Sequence, residues 1–233
     1  MEEQSLKYHS QKPAGKLRIE PSKPLKTQKD LSLAYTPWVS KPCLDIEKNP
    51  KDVWKYTNRG NTVAIISDGT AVLGLGDIGP EAGLPVMEGK AVLFKKFSDV
   101  DAYPLCLRLE EENYLEDFIT AVKSLEPNLG GINLEDIGAP LCFELQTRLD
   151  KVMSIPVFHD DQDGTAVIML AGLISALKVV GKDIKNIKIL INGAGAAGIS
   201  IARLFAHYGL SKDQISMCDS RGLITNNRDN LSQ

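Results

Sequence analysis

The feature that most constrains this chain is a run of glycines set between a strand and a helix. Ile187-Lys188-Ile189-Leu190-Ile191 has the apolar, β-branched character of a strand, and Gly193-Ala194-Gly195-Ala196-Ala197-Gly198 follows it directly. Ile201, Leu204, Phe205 and Tyr208 then recur at helical spacing, and Gly209 suits the C-cap. A second strand, Ile215 to Cys218, ends at Asp219, 21 residues after Gly198. A bare glycine pattern says little; a preceding strand, a following helix and a distal acid are the context of a dinucleotide-binding turn. Gly193 permits the tight turn, Gly195 lets the backbone approach a pyrophosphate, and Gly198 allows close helix–strand packing. The helix N-terminus offers free N–H groups to the phosphates. The competing reading is an ordinary strand–turn–helix built from small residues. Asp219 suits the ribose of NAD, whereas Arg221 beside it suits the 2′-phosphate of NADP, and both stay open.

Only two parallel strands are legible from Ile187 onward, fewer than a doubly wound nucleotide domain uses, and Asn226 to Gln233 reads as a polar tail. The expectation is therefore an incomplete Rossmann domain over 164–233, lacking its nicotinamide half.

The remainder allows a second unit. The chain has 233 residues, 43% of them hydrophobic, which is enough for a sizeable core. Its 27 Lys and Arg against 30 Asp and Glu argue against a nucleic-acid binder held by a basic face. Residues 1–30 hold six lysines, Arg18, three prolines and four acids, the composition of a loosely packed polar arm. The longest strongly apolar stretch, Gly164 to Leu177, has 14 uncharged residues. A membrane span needs about 18 or more, so a buried helix over Thr165 to Val180 is expected, and no membrane partner. The start Met1-Glu2-Glu3-Gln4 lacks the pattern of a signal peptide. Cys43, Cys106, Cys142 and Cys218 form no CxxC pair and read as thiols of a reducing compartment.

Between these ends, Thr62 to Ser67 and Thr70 to Gly76 flank Asp68-Gly69, the signature of a hairpin. Asp77 to Gly89 is rich in Gly and Pro and reads as a loop. Leu115, Phe118, Ile119, Val122 and Leu125 mark a helix with Asn113 as N-cap, and Leu141 to Val152 a second. Ile155 to Phe158 reads as a short strand.

Two acidic segments stand out. Asn133-Leu134-Glu135-Asp136-Ile137 follows a Gly-Gly pair, and His159-Asp160-Asp161-Gln162-Asp163-Gly164-Thr165 precedes the apolar helix. Either alone is as readily solvated surface or helix capping, and Asp163 is placed to cap. Together they suggest a site for Mg²⁺ or Mn²⁺, whose usual ligands are carboxylate oxygens. His159 by itself is more often structural than a ligand.

At this point the motifs resemble those of the malic enzymes of the small, prokaryotic type. The resemblance is carried by Ser32-Leu33-Ala34-Tyr35-Thr36-Pro37, SDGTAVLGLGDIGP, GLPVMEGKAVLFK, GGINLEDI, IPVFHDDQ and INGAGAAG, in that order from Leu31 to Gly222. It implies an α/β chain with a mixed N-terminal malic domain over 31–163, then the nucleotide domain over 164–233. It implies metal-dependent oxidation and decarboxylation of malate to pyruvate and CO₂ with NAD⁺ or NADP⁺, by a cytoplasmic homo-oligomer, a dimer. It assigns Tyr35 as general acid and Lys90 as general base at the substrate. Glu135, Asp136 and Asp161 fall on the metal ligands, and Gly193 to Gly198 on the nucleotide loop. Without the resemblance, Lys90 reads as a surface lysine and Tyr35 as a core tyrosine.

The chemistry suits these types. A lysine titrates near pH 10.4 unperturbed and must be shifted down to act as a base; a tyrosine stays protonated at neutral pH and can deliver a proton. Two positions depart from the family pattern, Trp38 for Gly and Asp163 for His. Family members also continue beyond this length. Two further readings follow: a metal-dependent oxaloacetate decarboxylase, and a non-catalytic subunit that keeps only the oligomer interface.

Overall fold

The computed structural model describes residues 1–72 and 74–228. The first part holds four helices, α1 (Glu2–Ser10), α2 (Gln28–Ala34), α3 (Ser40–Lys48) and α4 (Val53–Tyr56), none with a fully buried residue. A Thr27–Asp30 capping box starts α2. The arm is anchored at Lys16, whose N–H donates to the Glu88 carboxylate at 3.1 Å.

The centre is a four-stranded parallel sheet. Its strands are β1 (Thr62–Ser67), β2 (Asp101–Cys106), β3 (Gly131–Leu134) and β4 (Val157–His159), in the order β2-β1-β3-β4. Helices α5 (Pro80–Ser98), α6 (Tyr114–Leu125) and α7 (Leu141–Val152) make the crossovers. Alternation along β1 sorts the two faces. Ile65 points to Met87 and Ala91 of α5, while Ala64 and Ile66 join Phe118, Val122, Leu145 and Leu149 of α6 and α7. Cys142 of α7 joins that core, but Val152 is exposed.

The hairpin expectation is overturned. β1 pairs in parallel with β2 and β3, and among the described residues of the stretch beyond Thr70 only an isolated bridge, Val72 to Gly76, forms. Leu73 of that stretch lies outside the described residues. Asp68-Gly69 does turn the chain, but its carbonyl receives the N–H groups of Ile78 and Gly79 and so anchors the start of α5. A Cβ on Gly69 would lie 2.2 Å from the Gly79 carbonyl oxygen. The Gly- and Pro-rich loop expected over Asp77 to Gly89 is also corrected, because α5 begins at Pro80. Proline at the first helical position loses no helical bond. Pro85 forfeits one, and the packing of Gly83, Met87 and Ala91 against the core holds the helix despite it.

A π-helical turn, Asp160–Gly164, leads into α8 (Thr165–Val180). The second unit follows as β5 (Ile189–Asn192), α9 (Ala196–Tyr208), β6 (Ile215–Asp219) and the short antiparallel β7 (Gly222–Leu223). Helix α8 is not the buried helix expected. One stripe, Ala166, Leu170 and Leu173, packs on α9, while Ile168 is 70% exposed and Val179 85%. A helix that is apolar all round needs partners on every side, and among the described residues α8 has them on one. The run Asp160–Val180 is long and apolar enough, by length and composition, to cross a bilayer.

Candidate active site

In an open parallel sheet, ligands gather beyond the carboxyl ends of the strands where the strand order reverses. Here that point lies between β1 and β3, since the chain leaves β1 for β2 on one side and returns to β3 on the other. Residues after β1, β3 and β4 therefore converge: Asp68, then Glu135 and Asp136, then Asp160 and Asp161. Strand register does this, because Leu134 is paired with His159 and each strand ends one residue before its acids.

Lys90 of α5 reaches across to this edge. Its Nζ lies 2.9 Å from Glu135 Oε1 and 2.8 Å from Asp160 Oδ2. The other Glu135 oxygen accepts from the Asn133 amide at 2.8 Å. Asp136 sits at a left-handed φ of 53°, a conformation that aspartate adopts more readily than most non-glycine residues. Its N–H donates to Asp161 Oδ2 at 3.0 Å, and its carbonyl accepts from Ala71 N–H at 3.0 Å. Thr70 Oγ accepts from Gly138 N–H and donates to Asp68, whose second oxygen receives the Tyr114 hydroxyl. The SDGT loop thus buttresses the bend at Asp136.

The electrostatics are uneven. Burial pushes the Glu135 carboxyl up to about 7, with Lys90 and Asn133 pulling the other way. For Lys90, burial favours loss of the proton, but Asp160 and Glu135 together outweigh it and hold the ammonium above its ordinary value. The downward shift expected of a base is therefore absent while both carboxylates face Lys90 alone. Burial lowers His159, against the fields of Asp161, Asp163 and Asp160.

Of the expected metal ligands, Glu135, Asp136 and Asp161 each place an oxygen so that all lie within 4.8 Å of one another. Three converging carboxylates, two of them buried, are the donor set of a hard divalent cation. Tyr35 stands elsewhere: it caps the end of α2 and is 70% exposed. Among the described residues its hydroxyl makes no hydrogen bond to Lys90 or to the acids. Trp38 is exposed as well. Asp163 accepts from the Gln146 amide and weakly from His159 N–H at 3.4 Å, so its charge is engaged within the fold.

The glycine loop forms the expected turn. Gly193 has φ 127°, Gly195 is the N-cap of α9, and Ala194, Ala196 and Ala197 line the bend. A Cβ on Gly198 would lie 2.0 Å from the Gly193 carbonyl oxygen, whereas one on Gly195 meets nothing within 4 Å. Ala196 packs against the first core, so the N-terminus of α9 meets the acid-bearing unit. At the end of β6, Asp219 is held by both terminal nitrogens of Arg228, at 3.0 and 2.9 Å. The sequence reading missed Arg228, Asn133, Tyr114 and the role of Asp160. For Asp160 the signal was present in the paired aspartates, and for Asn133 in its place two residues before Glu135; for Tyr114, 46 residues from Asp68, only tertiary contact supplies it.

Comparison with known proteins bears on the family and the fold. The malic enzyme N-terminal domain matches residues 14–117 and the malic enzyme NAD-binding domain residues 162–233. The chain is 53% identical to the bifunctional malic/malolactic enzyme of Bacillus subtilis, over 99% of this chain and 55% of that protein. It is 50% identical to the NADP-dependent malic enzyme of Escherichia coli, over 98% of this chain and 30% of that protein. Among solved structures, the malic enzyme of Pyrococcus horikoshii matches with a TM-score of 0.88 and 46% identity, over 97% of this chain and 51% of that one. The NAD-dependent malic enzyme of Thermotoga maritima matches with 0.84 and 48%, over 91% and 55%. The chain thus spans about half the length, or less, of the proteins it resembles. A parallel α/β unit with Lys90 against an acid cluster, followed by a glycine-loop nucleotide unit, joins sequence and fold in one conclusion: this chain belongs to the malic enzyme family.

Proposed function

We propose that the chain carries the metal- and substrate-binding half of a malic enzyme and the phosphate-binding start of its nucleotide site. The reaction is oxidation of malate by NAD⁺ or NADP⁺, loss of CO₂ from the oxaloacetate formed, and protonation to pyruvate. The observation that carries this reading is the convergence of Lys90 with Glu135, Asp136 and Asp161 at the carboxyl ends of β1, β3 and β4. We divide the chain into the polar arm 1–30, the malic unit 31–163 and the nucleotide unit 164–233.

Glu135, Asp136 and Asp161 would hold Mg²⁺ or Mn²⁺. When bound, the ion supplies Lewis-acid polarisation of the substrate's oxygens. Lys90, as the neutral amine left once its ammonium has released a proton to solvent, takes the proton of the substrate hydroxyl. That release eases when the carboxylates facing it are occupied elsewhere, since they are what raise it. Asp160 keeps the amine aimed at the site. Tyr35 donates the proton to C3, which requires the α2 segment to come over Lys90, in this chain or from a second copy of a homodimer. Gly193 to Gly198 bind the pyrophosphate, and Asp219, once freed from Arg228, accepts the adenosine ribose. The four free cysteines fit a reducing, cytoplasmic setting.

The test is NAD(P)H formation from malate with Mn²⁺, in the chain and its Lys90→Ala variant. Turnover abolished by the substitution supports the reading; turnover unaffected by it removes Lys90 from the chemistry. A second reading is favoured by one observation, that the acid cluster and the glycine loop lie on separate sheets. Decarboxylation of oxaloacetate needs only the first. CO₂ release from oxaloacetate without nucleotide, quenched by EDTA, would support it. Absence of both activities would leave a non-catalytic subunit.

A further inference from the structure

We infer that His159 is a positioning residue for the metal ligand Asp161, acting through its Nδ1–H; this rests on the metal reading above. His159 is fully buried, and neither ring nitrogen has a hydrogen-bond partner. Polar atoms so deeply buried are paired in native proteins, so the ring calls for a partner. The nearest candidate is Asp161 Oδ2, 3.8 Å from Nδ1. That is beyond a hydrogen bond, and closure needs a shift of about 1 Å, small for a carboxylate that turns about two side-chain torsions.

The geometry around Asp161 gives the contact its purpose. Its Oδ2 already accepts from Asp136 N–H at 3.0 Å. Two donors on one oxygen fix the plane of the carboxylate and leave the other oxygen for a cation. The ring is itself fixed, because His159 ends β4 in register with Leu134 of β3, the residue before Glu135. One strand pair thus sets both the ligands and the group that aims one of them. The inference requires the neutral tautomer with hydrogen on Nδ1, which leaves Nε2 as a bare acceptor. Asp163, four residues further on, is occupied by Gln146 and does not compete for the ring.

The experiment is Mn²⁺ titration of the full chain, with free ion followed by electron paramagnetic resonance, beside metal-free thermal melting. Three substitutions separate aim from packing. In His159→Asn the amide nitrogen falls where Nδ1 was; in His159→Gln it falls nearer Nε2; His159→Phe keeps ring volume without a donor. The expected result is a loss of Mn²⁺ affinity of about 10–100-fold in the Phe and Gln variants, the range for outer ligand partners, with the Asn variant within about threefold. Melting should rank the other way, with Phe least perturbed and Asn more so for the space it leaves. Should the Phe variant not fold, the Asn–Gln contrast decides. Affinity that follows melting temperature across the variants, or that is equal in all, overturns the inference alone. Absence in the unsubstituted chain of Mn²⁺ binding that Glu135→Gln abolishes overturns the metal reading, and this inference with it.

Discussion

Lys90 Nζ lies 2.9 Å from Glu135 Oε1, joining the middle of α5 to the end of β3 in an ion pair whose carboxylate is the more deeply buried partner. The pair ties α5 to the carboxyl edge of the sheet and leaves a signature in stability.

Glu135 titrates near 7 in the folded chain against an ordinary value of 4.5. The folded state therefore binds this proton more tightly than the unfolded state. Its contribution is full below about pH 4.5, falls as pH rises through about 7, and is flat beyond, a change on the order of 3 kcal/mol. Glu135→Gln should remove that slope. Urea unfolding of both proteins at acid and neutral pH measures it, and a stability difference that does not change with pH would refute the assignment.

Asp136 holds a left-handed backbone, which Asn tolerates better than Ala. Asp136→Ala should unfold about 1 kcal/mol more easily than Asp136→Asn, while both lose Mn²⁺ binding. Equal stabilities would mean that the bend relaxes at no cost.

Gly195 and Gly198 should respond differently to alanine. Gly195→Ala has open space for its Cβ and should melt like the parent but bind NAD(P)H more weakly. Gly198→Ala drives a Cβ into the Gly193 carbonyl and should lose both. Melting curves and nucleotide fluorescence separate the two, and unchanged nucleotide affinity in Gly195→Ala would argue against a phosphate cradle there.

Tyr114 donates to buried Asp68, and burial together with that carboxylate holds its hydroxyl far above the ordinary value. In a spectrophotometric alkaline titration of the native chain, one of the six tyrosines should stay protonated until unfolding. Tyr114→Phe should abolish that delayed step and cost about 1–2 kcal/mol of stability. An unchanged titration curve would show that Tyr114 ionises with the rest.

The bare side of α8 should drive association. Replacing Ile168, 70% exposed, by Lys should shift a concentration-dependent sedimentation profile toward the monomer. A parent chain that is monomeric at all concentrations would contradict this.

Local chemistry was enough for much of the fold. The strand–glycine–helix run was legible because Gly198 must be small, and α6 and α7 because their apolar residues recur at helical spacing. The ordered motifs also singled out Lys90, Glu135, Asp136 and Asp161, which the fold brings together. Tertiary structure decided the rest. Asp68-Gly69 looks like a hairpin turn because two β-branched and apolar runs flank it, yet parallel pairing of β1 with β2 and β3 leaves its second arm no partner. Pro80 and Pro85 read as loop signals, but a first-turn proline costs a helix nothing and packing holds the other. The pairing of Tyr114 with Asp68, 46 residues apart in the chain, carries no local mark at all. The sequence by itself determined the family and which titratable groups are on hand, since both depend on residue type and motif. Only the fold decided that Lys90 meets two carboxylates while Tyr35 stands apart, because strand register and helix placement set distances that spacing along a chain does not contain.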